Sequence, residues 1–243
     1  MLFVIVMHVF YTPDIDGSTV NAQLPEEEAA HAIRVLRLQL GDEVMLTDGK
    51  GCFYRAEISA SDKKRCMVHI LEKQPQTPLW KNHIHLAVAP TKNMDRMEWL
   101  AEKATEIGLD EITFLDCRYS ERKVIKTDRI EKIIISAIKQ SLKARMPILH
   151  GVTNFTQFVS QPFSGQKFIA HCYKNERQEL KDILHPGEDA VVLIGPEGDF
   201  SEEEVSLALS KGFIPISLGP SRLRTETAAL VATHIINLKN QFI

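Results

Sequence analysis

Two glycine-bearing stretches near the C-terminal end hold the residues best placed to do chemistry. In the first, IGPEGDFSEEEV (residues 194–205), an apolar run meets Gly195, Pro196 and Gly198, and a helix is predicted to open at Ser201. Ser201 and Glu204 have the spacing of a capping box. Glycines let backbone approach a ligand closely, and helix N-termini attract anions. Here, however, Glu197, Asp199, Glu202, Glu203 and Glu204 crowd that end. The loop therefore suits a cationic ligand such as a sulfonium better than a polyphosphate; a capped turn without a ligand stays open as the alternative. In the second stretch, ISLGPSRLRTETAALVA (residues 216–232), a strand ends at Gly219-Pro220 and Arg222, Leu223, Arg224, Thr225 and Glu226 follow. Ala228, Ala229 and Ala232 then let another backbone pack closely on the next helix. In open α/β sheets, ligands sit beyond the carboxyl ends of strands, so one crevice can be lined by both loops. A dinucleotide fold would instead carry its glycine turn after the first strand.

Other chemistry is less well supported. His83 and His85 share a strand face and could form a two-ligand metal pair, but no further ligands stand at metal-site spacing, so two partly buried strand histidines are expected and no metal. Cys52, Cys66, Cys117 and Cys172 lie far apart without a CxxC pair, which argues against disulfides and a zinc knuckle. A net charge of −3 argues against general nucleic-acid binding, so any RNA contact must use local basic patches. The run Lys63-Lys64-Arg65 reads first as a solvated turn.

The elements that position these residues fall into two parts. The chain has 243 residues, 44% of them hydrophobic, and no apolar run near the roughly 20 residues of a membrane span. MLFVIVMHVF lacks a basic leader and cleavage site and reads as a first strand, which predicts a cytoplasmic protein. EEEAAHAIRVLRLQL predicts a helix stopped by Gly41, with Arg34 and Arg37 as near neighbours. VMLTDGKGCFYRAEI predicts a hairpin turning at Asp48-Gly49. Residues 1–72 thus read as a small β domain with one helix, and 72–80, with two prolines, as a linker. From His83 the grammar becomes α/β. IHLAVAP, ITFLD, KFIAH, AVVLI and FIPISL are strands; MDRMEWLAEKATEIG and TDRIEKIIISAIKQSLKA are helices, the latter with Ile130, Ile133, Ile134, Ala137, Ile138, Ser141 and Leu142 on one face. A final helix starts near Glu226. This alternation predicts a largely parallel sheet over residues 80–243.

IGPEGDFSEEE and SLGPSRLRTETAA resemble the paired C-terminal signatures of the RsmE family, SPOUT-superfamily enzymes that methylate N3 of a uridine in 16S (small-subunit) ribosomal RNA. NMDRMEWLAEKATEIGLDEITFLDCRYSERK, KQSLKARMP and HAIRVLRLQLGDEVMLTDGKG resemble further segments of the same family. One departure is Asp199, which stands where the family more often has a second glycine. The resemblance implies a PUA-like domain followed by a SPOUT domain whose C-terminal segment forms a trefoil knot, S-adenosylmethionine as cofactor, and a homodimer acting on small-subunit RNA or the 30S subunit.

It also implies roles for particular residues. Backbone groups around Leu193, Ile194, Gly195, Glu197 and Gly198, and around Leu218, Gly219, Leu223, Arg224, Thr225, Glu226 and Ala228, would hold the cofactor. Loss of the uridine N3 proton leaves charge that a guanidinium can stabilise with forked donors, and Arg224 is the candidate; the alternative is that Arg224 braces the loop through Glu226 or Glu197. Arg34, Arg37, Lys50, Arg55, Lys92, Lys103 and Arg122 are the candidate RNA contacts. Two rivals remain at this level: a non-catalytic RNA-binding protein, and a phosphotransferase using the first glycine loop.

Overall fold

The structure is a computed structural model and describes residues 8–62, 64–173 and 177–241. Chain contacts divide it into two units, residues 1–78 with 135–146 and residues 79–134 with 147–243.

The first unit is a five-stranded sheet in the order β1-β3-β4-β5-β2. Its strands are β1 (Val9–Tyr11), β2 (Asn21–Gln23), β3 (Glu43–Thr47), β4 (Cys52–Ser61) and β5 (Cys66–Pro75). Tyr54, Ala56 and Ile58 of β4 point inward at the period of two that a half-buried strand requires, joining Phe10, Leu24, Leu46 and Val68 in the core. The predicted β3–β4 turn forms: Gly49 has φ 69° and Gly51 φ 115°, and the Asp48 carboxylate accepts from Lys50 N at 2.7 Å and from Cys52 N at 3.1 Å. Asp62 makes a similar turn by accepting from Lys64 N and Arg65 N, so these two basic residues form an exposed turn; Lys63 lies outside the described residues. Most of the predicted first strand, residues 1–7, also lies outside them; Val9–Tyr11 pairs parallel to β3.

Two expectations need correction here. The helix predicted over 26–40 is α1 (Glu26–Ala30) followed by one wide turn, His31–Val35, in which Leu36 N donates to His31 O. Arg37 then takes φ 57°, so Arg34 and Arg37 are not neighbours on a helix. Leaving the helical path lets Leu36 and Leu38 both pack on the core, where a continued helix would turn them about 200° apart. The linker begins later than residue 72, because β5 stays paired with β4 as far as Pro75, opposite Cys52.

The second unit is a seven-stranded parallel sheet in the order β10-β12-β9-β11-β6-β7-β8. Its strands are β6 (Ile84–Val88), β7 (Glu111–Asp116), β8 (Ile148–Asn154), β9 (Gln166–Ala170), β10 (Gln178–Glu179), β11 (Ala190–Ile194) and β12 (Ile214–Ser217). Its helices are α2 (Met94–Ile107), α4 (Phe155–Val159), α5 (Leu180–Ile183), α6 (Glu202–Ser210) and α7 (Thr225–Gln241); α3 (Thr127–Gln140) begins in this unit and its residues from 135 on are assigned to the first. β6 and β11 are buried at every residue, which is why their sequences are apolar runs. The α3 face also ends earlier than expected: Lys143 N donates to Ile138 O and Leu142 takes φ 52°, so Leu142 leaves the helix and is exposed. β11 enters between β9 and β6, and this change of direction in strand order opens a crevice at their carboxyl ends.

Candidate functional site

The loops after β9, β11 and β12 and the first turn of α7 enclose a cavity of about 550 Å³. Of the predicted cofactor residues, Ile194, Gly195, Glu197, Gly198, Leu218, Gly219, Leu223, Arg224, Thr225 and Ala228 line it. Leu193 and Glu226 do not: Leu193 is buried in the sheet core, and Glu226 lies 3.6 Å from the Arg96 guanidinium. The two glycine loops are tied directly, the buried Thr225 hydroxyl donating to Gly195 O at 3.1 Å. Gly219 has φ 115°, a backbone that L side chains rarely adopt. At Gly195 the constraint is space, since a Cβ would meet Phe200 N at 3.1 Å.

Three acidic residues of the first loop, Glu197, Asp199 and Glu204, accept from backbone amides. Ser201 and Glu204 form the predicted capping box, with Glu204 N donating to Ser201 Oγ and Ser201 N to Glu204 Oε2. Glu197 accepts from Lys92 N at 3.0 Å. Asp199 takes φ 67°, a backbone that favours glycine; its carboxylate accepts from Cys172 N at 2.7 Å and Phe200 N at 2.8 Å. The cavity is also lined by Arg96, Arg177, Arg222 and Arg224. Three of the five acidic residues, Glu197, Asp199 and Glu204, are thus braced on backbone amides, and arginines share the cavity with them.

Arg224 is exposed, and its side chain has no hydrogen bond or ion pair among the described residues. Neither bracing partner considered for it is engaged that way: Glu197 holds Lys92 N and Glu226 faces Arg96. The Arg224 backbone is held separately, its carbonyl accepting from Ala228 N at 2.8 Å. Sequence reasoning missed Arg96, His171 and Arg177 as cavity residues. Arg96 lies on α2 and His171 and Arg177 follow β9, segments without a glycine-loop signal. The Cys172 thiol, also in the wall, is pushed up by partial burial and by Asp199, which disfavours a thiolate nucleophile.

The predicted RNA residues are dispersed. Arg34, Arg37 and Lys50 are exposed on the first unit, Lys50 Nζ donating to Pro13 O at 2.7 Å. Arg55 is paired with Glu43 at 2.9 Å and Glu72 at 3.4 Å. Lys103 is paired with Glu102 and Glu106 at 2.7 and 2.8 Å. In the second unit Lys92 and Arg122 come together, Arg122 donating twice to Lys92 O, beside Glu121 and Lys123.

His83, His85 and His150 gather on Glu111. His85 is buried, donates to or accepts from Thr113 Oγ1 at 2.8 Å, and has its pKa lowered to about 4, first by burial. His83 is thus partly buried as expected and His85 fully so. No group of side chains arranged to hold a metal ion is found among the described residues.

Comparison with known proteins agrees with this architecture. A family model described as an RNA methyltransferase domain matches residues 78–237, and one described as an RNA methyltransferase PUA domain matches residues 24–71. A probable rRNA methyltransferase from Porphyromonas gingivalis has a solved structure 44% identical in sequence, with TM-score 0.90 over 96% of this chain and 98% of that one. The ribosomal RNA small subunit methyltransferase E of Neisseria gonorrhoeae, solved bound to S-adenosylmethionine, is 29% identical with TM-score 0.84 over 93% and 95%. The protein of the same name from Synechocystis is 32% identical over 84% of this chain and 68% of its own length. With both of its parts matched and its glycine loops converging on one cavity, this chain belongs to the ribosomal RNA small subunit methyltransferase E family of RNA methyltransferases.

Proposed function

We propose that the protein transfers a methyl group from S-adenosylmethionine to N3 of a uridine in small-subunit ribosomal RNA. The observation carrying this is Arg224, whose side chain is unpaired among the described residues, lining a cavity formed by both glycine loops. The residues fit the cofactor: about 550 Å³ lies within the usual range for small-ligand sites, Ile194, Ile216, Leu218 and Ala228 offer apolar walls for a base, and loop backbone supplies polar groups. When bound, S-adenosylmethionine supplies an activated methyl on a sulfonium. The protein's own work is alignment and electrostatics. Arg224 offers forked donors to the uracil oxygens as the N3 proton leaves, and Arg96, oriented by Glu226, adds a second cation on the cavity wall.

We infer further that the first unit contacts RNA, that the C-terminal segment is knotted, and that a cytoplasmic homodimer is the working form. Family membership supports these readings. Calorimetry of the full chain should give micromolar binding of S-adenosylmethionine and much weaker binding of ATP. Equal or tighter ATP binding, which the wall arginines make a real test, would sink the methyltransferase reading and favour the phosphotransferase. Cofactor binding without methyl transfer to 30S subunits would sink the proposed substrate.

A further inference from the structure

The turn after β7 carries an aromatic side chain beside the first glycine loop. Ser120 N donates to Cys117 O at 3.1 Å, closing a turn with Arg118 and Tyr119 at its tip. Two more bonds hold its backbone: Cys117 N donates to Ser120 Oγ at 3.1 Å, and Arg118 N donates to Glu204 Oε1 at 2.8 Å. Tyr119 is seated against Gly198, where an added Cβ would lie 3.1 Å from the Tyr119 Cβ. Gly198 has no positive φ, so the room that Tyr119 takes is what asks for glycine there. Tyr119 is nevertheless 49% exposed, with no hydrogen bond from its hydroxyl and no ring contact among the described residues. Of the described Phe, Tyr and Trp side chains, only Trp99 and Tyr119 are exposed. Arg118, Lys92 and Lys123 are exposed in the same unit, the two lysines facing Glu121 and Asp116 at 3.0 Å.

We infer that Tyr119 is a stacking platform for a base of the RNA next to the target uridine. This rests on the methyltransferase reading of the cavity. N3 lies on the pairing edge of uracil, so the reacting base must be unpaired and drawn out of its stack. Bases splayed in this way are held by stacking on aromatic side chains. Gly198 lines the cavity and Tyr119 does not, so the ring stands beside the reacting base and suits its neighbour in the strand. A ring on a hydrogen-bonded turn is already ordered, so stacking on it costs little further conformational freedom. The exposed Arg118, Lys92 and Lys123 add the positive charge that a single strand's phosphates require.

The test compares the full chain with Tyr119→Phe, Tyr119→Leu and Tyr119→Ala in three measurements. These are binding of 30S subunits with S-adenosylhomocysteine present, single-turnover methylation at saturating 30S, and calorimetric affinity for S-adenosylhomocysteine alone. Phenylalanine keeps the aromatic face; leucine keeps apolar bulk without it. The leucine and alanine variants should bind 30S roughly tenfold more weakly, and the phenylalanine variant within about twofold of wild type. The saturated rate should fall by less than about threefold and cofactor affinity by less than about twofold, since the loss is one of substrate binding. The inference is overturned if the alanine and leucine variants bind 30S as well as wild type, or if leucine substitutes as well as phenylalanine. A cofactor affinity that falls together with 30S binding also overturns it, because Tyr119 would then only prop the loop at Gly198. A loss confined to the saturated rate overturns the assignment to a neighbouring base. Should Tyr119→Ala not fold, the comparison of phenylalanine with leucine decides. A wild type that fails to bind S-adenosylhomocysteine, or to methylate 30S subunits, refutes the methyltransferase reading instead.

Discussion

Replacing Arg224 separates catalysis from scaffolding because the structure assigns its side chain no scaffolding contact. The guanidinium is exposed and unpaired among the described residues, while the loops are joined by Thr225 Oγ1 to Gly195 O and the Arg224 backbone is held by Ala228 N. Both bonds survive Arg224→Ala and Arg224→Lys. Folding stability should therefore change by less than about 0.5 kcal/mol, as for other exposed substitutions. Cofactor affinity should change by less than about tenfold, or roughly 1.4 kcal/mol. If the fork stabilises the uracil anion, methyl transfer should fall roughly 100-fold, about 2.7 kcal/mol in the barrier, by analogy with removing one oxyanion donor. Lysine keeps the charge without the planar fork and should rescue little. Single-turnover methylation of 30S subunits at saturating cofactor, measured beside calorimetric affinity and urea unfolding, reads the three quantities separately. Near-normal turnover at saturation refutes the catalytic role. A large loss of stability or cofactor affinity refutes the claim that the side chain supports nothing.

Asp199→Gly relieves a left-handed backbone but gives up two hydrogen bonds, whereas Asp199→Ala loses the bonds and keeps the strain. Urea unfolding should find the alanine variant less stable than the glycine variant by about 1 kcal/mol, and the opposite order would refute this account of Asp199. Acid should weaken the fold through His85. The unfolded chain takes up a proton near pH 6.5 that the folded protein refuses until about pH 4, so this contribution is complete above the former and lost as pH falls towards the latter. The stability difference between wild type and His85→Gln should shrink by about 3 kcal/mol between pH 7 and pH 4; a difference independent of pH would exclude His85 as the cause.

The periodicity of the chain was enough to reveal a β part followed by a parallel α/β part, because strand and helix repeats and turn residues are local signals. The β3–β4 turn at Asp48-Gly49 and the capping box at Ser201 were legible for the same reason: the partners lie within a few residues. Both glycine loops could be found because backbone near a ligand must use residues without a Cβ or with unusual φ. Partners distant in sequence were decided only by the tertiary structure. Nothing local says that Asp199 will reach Cys172, that Glu226 will face Arg96, or that Glu197 will accept from Lys92 N; these pairings brace the loop and leave Arg224 unpaired among the described residues. The wide turn after α1 likewise depends on where Leu36 and Leu38 find a core. His171 is a cavity residue only because β9 lies between β11 and β12, and that strand order is set by how the sheet buries its apolar faces rather than by any motif around residue 171.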